Sequence, residues 1–359
     1  MRSPLILGAG PAGCAAAITL ARAGAPPLLI DRDAEVGDAL CGGFMSWRTA
    51  ETLRGLGLDL EVLGAHRVSR LAMFAGERSA VADLPALAFG LSRRAFDTAL
   101  REAALATGTR LEIDKARAIG PGLVEGEHRG WRADSLFLAT GKHDVRGHSR
   151  PRDAEDAALG LRIRLPSGER LAALVGDRIE LHFFVGGYAG IVLQEDGSAN
   201  VCLAVRKSLL SEAGGQPRAL LERLAEEYHA FGERMAGATP DLPIDTIASV
   251  PYGYICDTAE PGLYQLGDQA AVIPSLAGEG MSIAVASGVM AADAWLAGGA
   301  DAAPAFQHAF ARRAWRPVRA AEAIWHLAER ESGASLIAAL AGWVPMLTGL
   351  AMRASRIAA

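Results

Sequence analysis

A chain of 359 residues, 50% hydrophobic and 21% charged, can bury the cores of two or three compact units without disulfides or a structural metal, and it is neither disordered nor fibrous. Its net charge of -5 leaves no basic excess to neutralise phosphates, which excludes a general nucleic-acid binder. Positive charge is almost all arginine, the lysines being Lys115, Lys142 and Lys207, and the four cysteines and eight histidines fall in no metal-ligand spacing. No metal is read, and free cysteines fit a reducing cytoplasm.

Leu5-Ile6-Leu7 is a short apolar strand, followed by Gly8-Ala9-Gly10-Pro11-Ala12-Gly13 and an Ala-rich helix to about Ala23. This is G-x-G-x-x-G between a strand and a helix, the context that gives it meaning. Gly8 permits the tight turn, Gly10 lets backbone approach a pyrophosphate, and Gly13 lets the helix pack on the strand. Pro11 and Ala12 open a helix whose free N–H groups face the anion. A second strand, Pro27 to Ile30, ends at Asp31, placed to accept from a ribose with Arg32 beside it, with 17 residues between Gly13 and Asp31. An ordered glycine pattern followed by an acid argues against a secretory signal.

Ser92 caps a helix that begins Arg93-Arg94-Ala95-Phe96-Asp97, with its arginines solvated if nothing binds there. Leu136 to Gly141 reads as a buried strand ending Ala139-Thr140-Gly141. From 151 to 254 the chain is β-rich, with strands over Ile179–Phe184, Gly190–Gln194 and Ala199–Val205, a hairpin turn at Glu195-Asp196-Gly197-Ser198, and a helix over Pro217–Met235. His182, Tyr188, Tyr252 and Tyr254 either line a pocket there or are ordinary sheet aromatics. Gly262 to Ala271 then reads as a strand running into an acidic turn, followed by Pro274 to Met281 and a helix of small residues.

No charge occurs from Ser332 to Met352, long enough to span a bilayer, yet Pro345, three glycines and much alanine interrupt it. A packed helical pair is the first reading. A membrane-surface contact, helped by Arg312, Arg313, Arg316 and Arg319, is the second, and a transmembrane anchor the last.

Gly267, Asp268, Ala270, Pro274, Gly278, Gly280 and Ala284 match, with Pro274 one position early, a G-D-x-A-x-x-x-x-P-x-x-G-x-G-x-x-x-A signature. The segment resembles that of FAD-dependent oxidoreductases of the type that includes p-hydroxybenzoate hydroxylase, geranylgeranyl reductases and flavin-dependent halogenases. The resemblance implies that Asp268 contacts the ribityl hydroxyls and that backbone at Gly280 and Met281 meets the flavin pyrimidine oxygen. It also makes Arg93 an FAD contact and Ala139-Thr140-Gly141 the strand closing on the dinucleotide. Cys41-Gly42-Gly43 resembles the C-G-G turn of the reductase branch, near the flavin ring, and Cys41 is either an apolar filler or the candidate catalytic thiol. Gly186 to Gly190 echoes the reductases' G-Y-x-W segment without its Trp.

The stretch Thr140 to Gly147 lacks the first acid of the hydroxylases' D-G-x-x-S-x-V-R segment, which leaves NAD(P)H and a separate reductase partner both open as electron source. With no lysine before Lys115, the halogenase branch is disfavoured.

The expected fold is α/β: a Rossmann-like FAD domain of the glutathione-reductase type from 1–60, 90–150 and 255–300, a substrate sheet from 61–89 and 151–254, and C-terminal helices over 301–359. The expected function is flavin-dependent hydroxylation of a hydrophobic aromatic, polyketide or isoprenoid-like molecule. The alternatives are reduction of carbon–carbon double bonds in a prenyl lipid, or a non-catalytic flavin carrier. A cytoplasmic enzyme is expected, with peripheral membrane contact through the last helices.

Overall fold

The computed structural model describes residues 4–151 and 155–343, with side chains through 339. Leu5–Leu7 is the middle strand of a five-stranded parallel sheet in the order Leu263–Gln265, Leu136–Leu138, Leu5–Leu7, Leu28–Asp31, Arg110–Ile113. Its central strands are continuous apolar runs because helices cover one face and a small three-stranded sheet, Ala116–Gly120, Leu123–Gly126 and Gly130–Arg132, covers the other. Those three short strands were not read from the sequence, since they carry few apolar residues.

The first helix, Pro11–Arg22, is buried along most of its length against Gly280–Gly298. The crossing is close because Gly288 lacks a side chain: a Cβ there would sit 2.3 Å from the Ala12 carbonyl oxygen. The apolar helix Gly280–Gly298 is therefore core, and Ser287 Oγ accepts from the Gly267 N–H at 2.8 Å, tying the two late motifs together. The fold class is the one expected.

A second sheet of eight strands runs Ile244–Val250, Ala158–Leu165, Ala199–Arg206, Gly187–Leu193, Arg178–Phe184, His66–Ala75, Arg78–Gly90, Phe44–Met45. Every pairing is antiparallel except Arg178–Phe184 against His66–Ala75, so the chain leaves the cofactor sheet after its second strand, builds one edge of this sheet, and returns much later to complete it. The strand read as starting at Gly190 starts at Gly187, and Gly197 (φ +76°) turns the hairpin. The single helix expected over Pro217–Met235 is two, Pro217–Glu227 and His229–Met235, broken at Tyr228. The second folds back with Gly232 against the Ala225 carbonyl, where a Cβ would lie 2.3 Å away. Helices Ala303–Ala328 and Glu331–Trp343 finish the described chain. The rest of the uncharged stretch to Met352, with Pro345, lies outside the described residues.

Candidate active site

Between the two sheets lies a cavity of about 1100 Å³, above the roughly 300–1000 Å³ of ordinary ligand pockets. All the cofactor-site residues read from the sequence line it except Gly13, and so do Tyr188 and Tyr252. Gly13 does a different job: a Cβ there would stand 1.9 Å from the Gly8 carbonyl oxygen, so its bareness lets the helix seat on the turn. Gly10, by contrast, has ordinary dihedrals (φ -81°, ψ -171°) and nothing within 4 Å of where a Cβ would go. The space it leaves is the cavity itself, beside the N-terminus of Pro11–Arg22. Gly42, Gly141 and Gly280 are open in the same way. Bare backbone on four separate segments around one cavity is a cradle for a ligand as long as a dinucleotide, and two helix N-termini open on it. Asp31 is oriented for a ribose: its Oδ2 accepts from the Ala9 N–H at 2.6 Å and its Oδ1 from the Asp33 N–H at 2.9 Å. The residues present therefore fit FAD.

Arg93 makes two hydrogen bonds to Asp97, at 2.8 and 2.6 Å, and lines the cavity rather than solvent. Burial works against its charge, and the Asp97 carboxylate more than restores it, with the Cys41 thiol also in reach. Arg101, missed in the sequence, continues the stripe. It bonds the Asp33 and Ala34 carbonyls at 3.1 Å and stands 3.6 Å from Asp31. The i, i+4, i+8 spacing of Arg93, Asp97 and Arg101 was the signal that could have found it.

The Cys41-Gly42-Gly43 turn is held from outside. The loop before it has no regular structure, yet four consecutive carbonyls are each met by a distant side chain. Arg162 donates to Asp38 O (2.7 Å) and Ala39 O (3.2 Å), Lys142 to Leu40 O (3.1 Å), and Asn200 to Cys41 O (2.9 Å). Arg162 also pairs with the Asp38 and Asp245 carboxylates at 2.9 and 2.6 Å. Replacing Arg162 with Met is expected to free this loop, raising its cleavage by protease over 35–43 and weakening FAD roughly tenfold in a flavin titration.

His182 is a correction. It does not line the cavity; Leu181 and Phe183 do. Side chains alternate along a strand, so the neighbours of cavity-facing residues point to the opposite face. There His182 stacks on Phe74 (centroids 4.5 Å apart) and bonds Glu180 at 3.1 Å, and Arg234 bonds both Glu180 oxygens at 2.9 and 3.0 Å. Tyr254 also lies off the cavity, beside Cys256.

Residues 3–143 match the family described as FAD binding domain. The chain is 28% identical to digeranylgeranylglycerophospholipid reductase 2 of Methanopyrus kandleri over 316 residues, covering 80% of this chain and 75% of that one. It is 25% identical to a menaquinone reductase of Mycolicibacterium smegmatis, covering 82% and 76%. Residues 3–143 therefore carry an FAD-binding domain, and the chain as a whole is similar to FAD-dependent reductases. The chain's fold is shared with a geranylgeranyl bacteriochlorophyll reductase-like protein of Thermoplasma acidophilum, at a TM-score of 0.75 and 17% identity, over 98% of this chain and 95% of that one.

Proposed function

We propose that this oxidoreductase reduces a carbon–carbon double bond of a prenyl-type lipid, ahead of the hydroxylation that the sequence put first. The observation that carries the reading is where the cavity goes after the cofactor residues. It continues between the second sheet and the last two helices, walled by Leu71, Met73, Ile179, Leu181, Phe183, Ile324 and Ile337. A long apolar chain fits such a wall better than a compact polar ring does. The Cys41-Gly42-Gly43 turn and the two reductases to which the chain is similar support the same reading.

When bound and reduced, FAD would supply the substrate with two electrons and two protons, and it would be reloaded by NAD(P)H with a solvent proton or by a separate reductase. It would be held by the Gly8–Gly13 turn, Asp31, Arg93, Asp268 and the backbone at Gly280 and Met281. The alkene takes up two electrons and two protons. The sheet excludes water from that event and fixes the chain against Gly190 and Cys202, whose thiol burial pushes up to about 12 and so keeps protonated. In the same proposal, exposed Trp315 between Arg312 and Arg316 on helix Ala303–Ala328 gives the enzyme a membrane-surface contact from the cytoplasm.

The test is anaerobic. Holoenzyme is reduced with NADH, NADPH or dithionite, mixed with a geranylgeranyl lipid, and the product weighed. A gain of two hydrogens supports reduction, and which reductant works identifies the donor. Product formed only after oxygen is admitted, with one oxygen atom added, overturns reduction in favour of hydroxylation. No reaction with either substrate class leaves the carrier.

A further inference from the structure

Beyond the cofactor residues the cavity wall is largely apolar; Thr246 and Cys202 stand singly on it, and three hydroxyls are clustered at one place. Tyr188 Oη donates to Ser275 Oγ at 2.7 Å, and Tyr252 Oη lies 2.6 Å from the same Oγ. The three residues come from the middle of the second sheet, from the link after its edge strand, and from the turn that leads into Gly280–Gly298. Trp325 backs both phenol rings, at centroid distances of 5.6 and 5.9 Å.

Proton counting gives this cluster a direction. Three hydroxyls carry three protons, and the two contacts use two of them. If Tyr252 donates across the 2.6 Å contact, the Ser275 proton is left over; if Ser275 donates, the Tyr252 proton is. Both residues line the cavity, so in either arrangement one donor opens on it. Burial raises both phenols, Tyr252 to about 12, so at neutral pH the cluster is uncharged.

Two further observations shape the ligand. Among the described lining residues, the cations Arg32, Arg93, Arg101, Lys115 and Lys142 all come from the cofactor side and none from the sheet or the last helices. Next to Tyr188 the sheet is bare: Gly190 stands in register between Leu181 and Cys202, and the atoms nearest a Cβ there are 3.8 Å or more away. That is a flat floor beside a neutral donor.

We infer that Tyr188, Ser275 and Tyr252 form the specificity clamp of this site, binding a neutral oxygen acceptor, such as a ring carbonyl, on an apolar-tailed substrate. The inference rests on the reduction reading and narrows its substrate to ring-headed prenyl lipids over phospholipids, whose phosphate would meet no cation at this end.

The experiment is calorimetric titration of holoenzyme with a prenylated 1,4-naphthoquinone, the prenylated naphthalene of the same skeleton without carbonyls, and a digeranylgeranyl ether phospholipid. For wild type, the quinone binds about fivefold to tenfold tighter than the hydrocarbon, the yield of one neutral hydrogen bond. In a variant carrying Tyr188→Phe, Ser275→Ala and Tyr252→Phe together, quinone affinity falls by that factor and hydrocarbon affinity stays. Infrared spectra of the bound quinone show a lowered carbonyl stretch in wild type that returns to its free position in the variant. Equal wild-type affinity for quinone and hydrocarbon overturns the clamp, as does tightest binding by the phospholipid. The wild-type comparison needs no variant, so a variant that fails to fold leaves the test intact. Binding through the clamp with an oxygenated product sinks the reduction reading alone. Alkene reduction without any preference for the quinone sinks the clamp alone.

Discussion

Gly10→Val is expected to give a folded protein that purifies without colour. The backbone at this position suits a β-branched residue, and the added side chain starts in open space, because the Cβ position has nothing within 4 Å. They fill the space into which a pyrophosphate would settle against the helix N-terminus. Losing two charge-assisted hydrogen bonds at about 1.5–3 kcal/mol each corresponds to a hundredfold or greater fall in FAD affinity. Circular dichroism and the denaturation midpoint of the apoprotein should match wild-type apoprotein, with the visible flavin absorbance missing. Gly13→Ala is the contrasting case. Its methyl would lie 1.9 Å from a backbone carbonyl that cannot swing aside, so protein and flavin should be lost together. If Gly10→Val keeps its flavin, the cavity beside this turn is not where the dinucleotide lies.

The second large effect belongs to the opposite face of the second sheet. Glu180 is fully buried, with His182 2% and Arg234 6% exposed. Burial alone would push the Glu180 carboxyl up; hydrogen bonds and charge from His182 and Arg234 outweigh it and leave the group below its usual range. Arg234→Met removes the guanidinium that bonds both Glu180 oxygens and leaves the buried carboxylate only Arg178, 4.0 Å away, as a permanent cation, a change of the kind that typically costs about 3–5 kcal/mol. Urea denaturation at pH 8 should show that loss, and adding Glu180→Gln should recover most of it, since an apolar and neutral pair needs no counter-charge. A pH signature accompanies it. His182 is held below its ordinary value of 6.5, first by burial and then by Arg234, with Glu180 opposing. As pH falls through 6.5 the unfolded chain takes a proton that the folded chain refuses, so wild type loses stability on the acid side; Glu180 adds to the loss below 4.5, toward its own lowered value. Without Arg234, His182 accepts a proton more readily beside Glu180, and the slope near pH 6 should flatten. An unchanged midpoint in Arg234→Met would mean that the buried network contributes nothing.

What the sequence disclosed was backbone chemistry. Gly8, Gly10, Gly13, Gly278 and Gly280 mark places where the chain must turn or be approached closely, and that need is local, so spacing reveals it. Asp31 was legible because it closes the second strand at a set distance from the glycines, and Asp268 because its segment resembles a family signature. Phase was legible within Arg178–Phe184, where Arg178, Glu180 and His182 alternate with the cavity-lining Ile179, Leu181 and Phe183, and the pocket reading of His182 overlooked that alternation. Partnerships across the chain were hidden altogether. The anchors Arg162, Lys142 and Asn200 act over 124, 102 and 159 residues, and Tyr188 meets Ser275 over 87. Nothing in the local pattern at either end of such a pair announces the other. Arg101 falls between these cases, visible as a helical stripe only once Arg93 and Asp97 are known to face inward.

The interleaving of the two sheets bears on how the molecule is made. Leu136–Leu138 must wait for Leu263–Gln265 to cover its edge, and Pro11–Arg22 stays uncovered until Gly280–Gly298 has been synthesised. His66–Ala75 likewise waits for Arg178–Phe184. At translation speeds of about 5–20 residues per second, apolar surface on the nascent chain stays open for some ten seconds or more. During that interval the flavin cavity lacks Gly267, Asp268, Gly280 and Met281. Soluble yield should therefore depend on chaperone supply early in synthesis and on flavin supply only at its end, and a riboflavin-starved culture should accumulate full-length apoprotein rather than fragments.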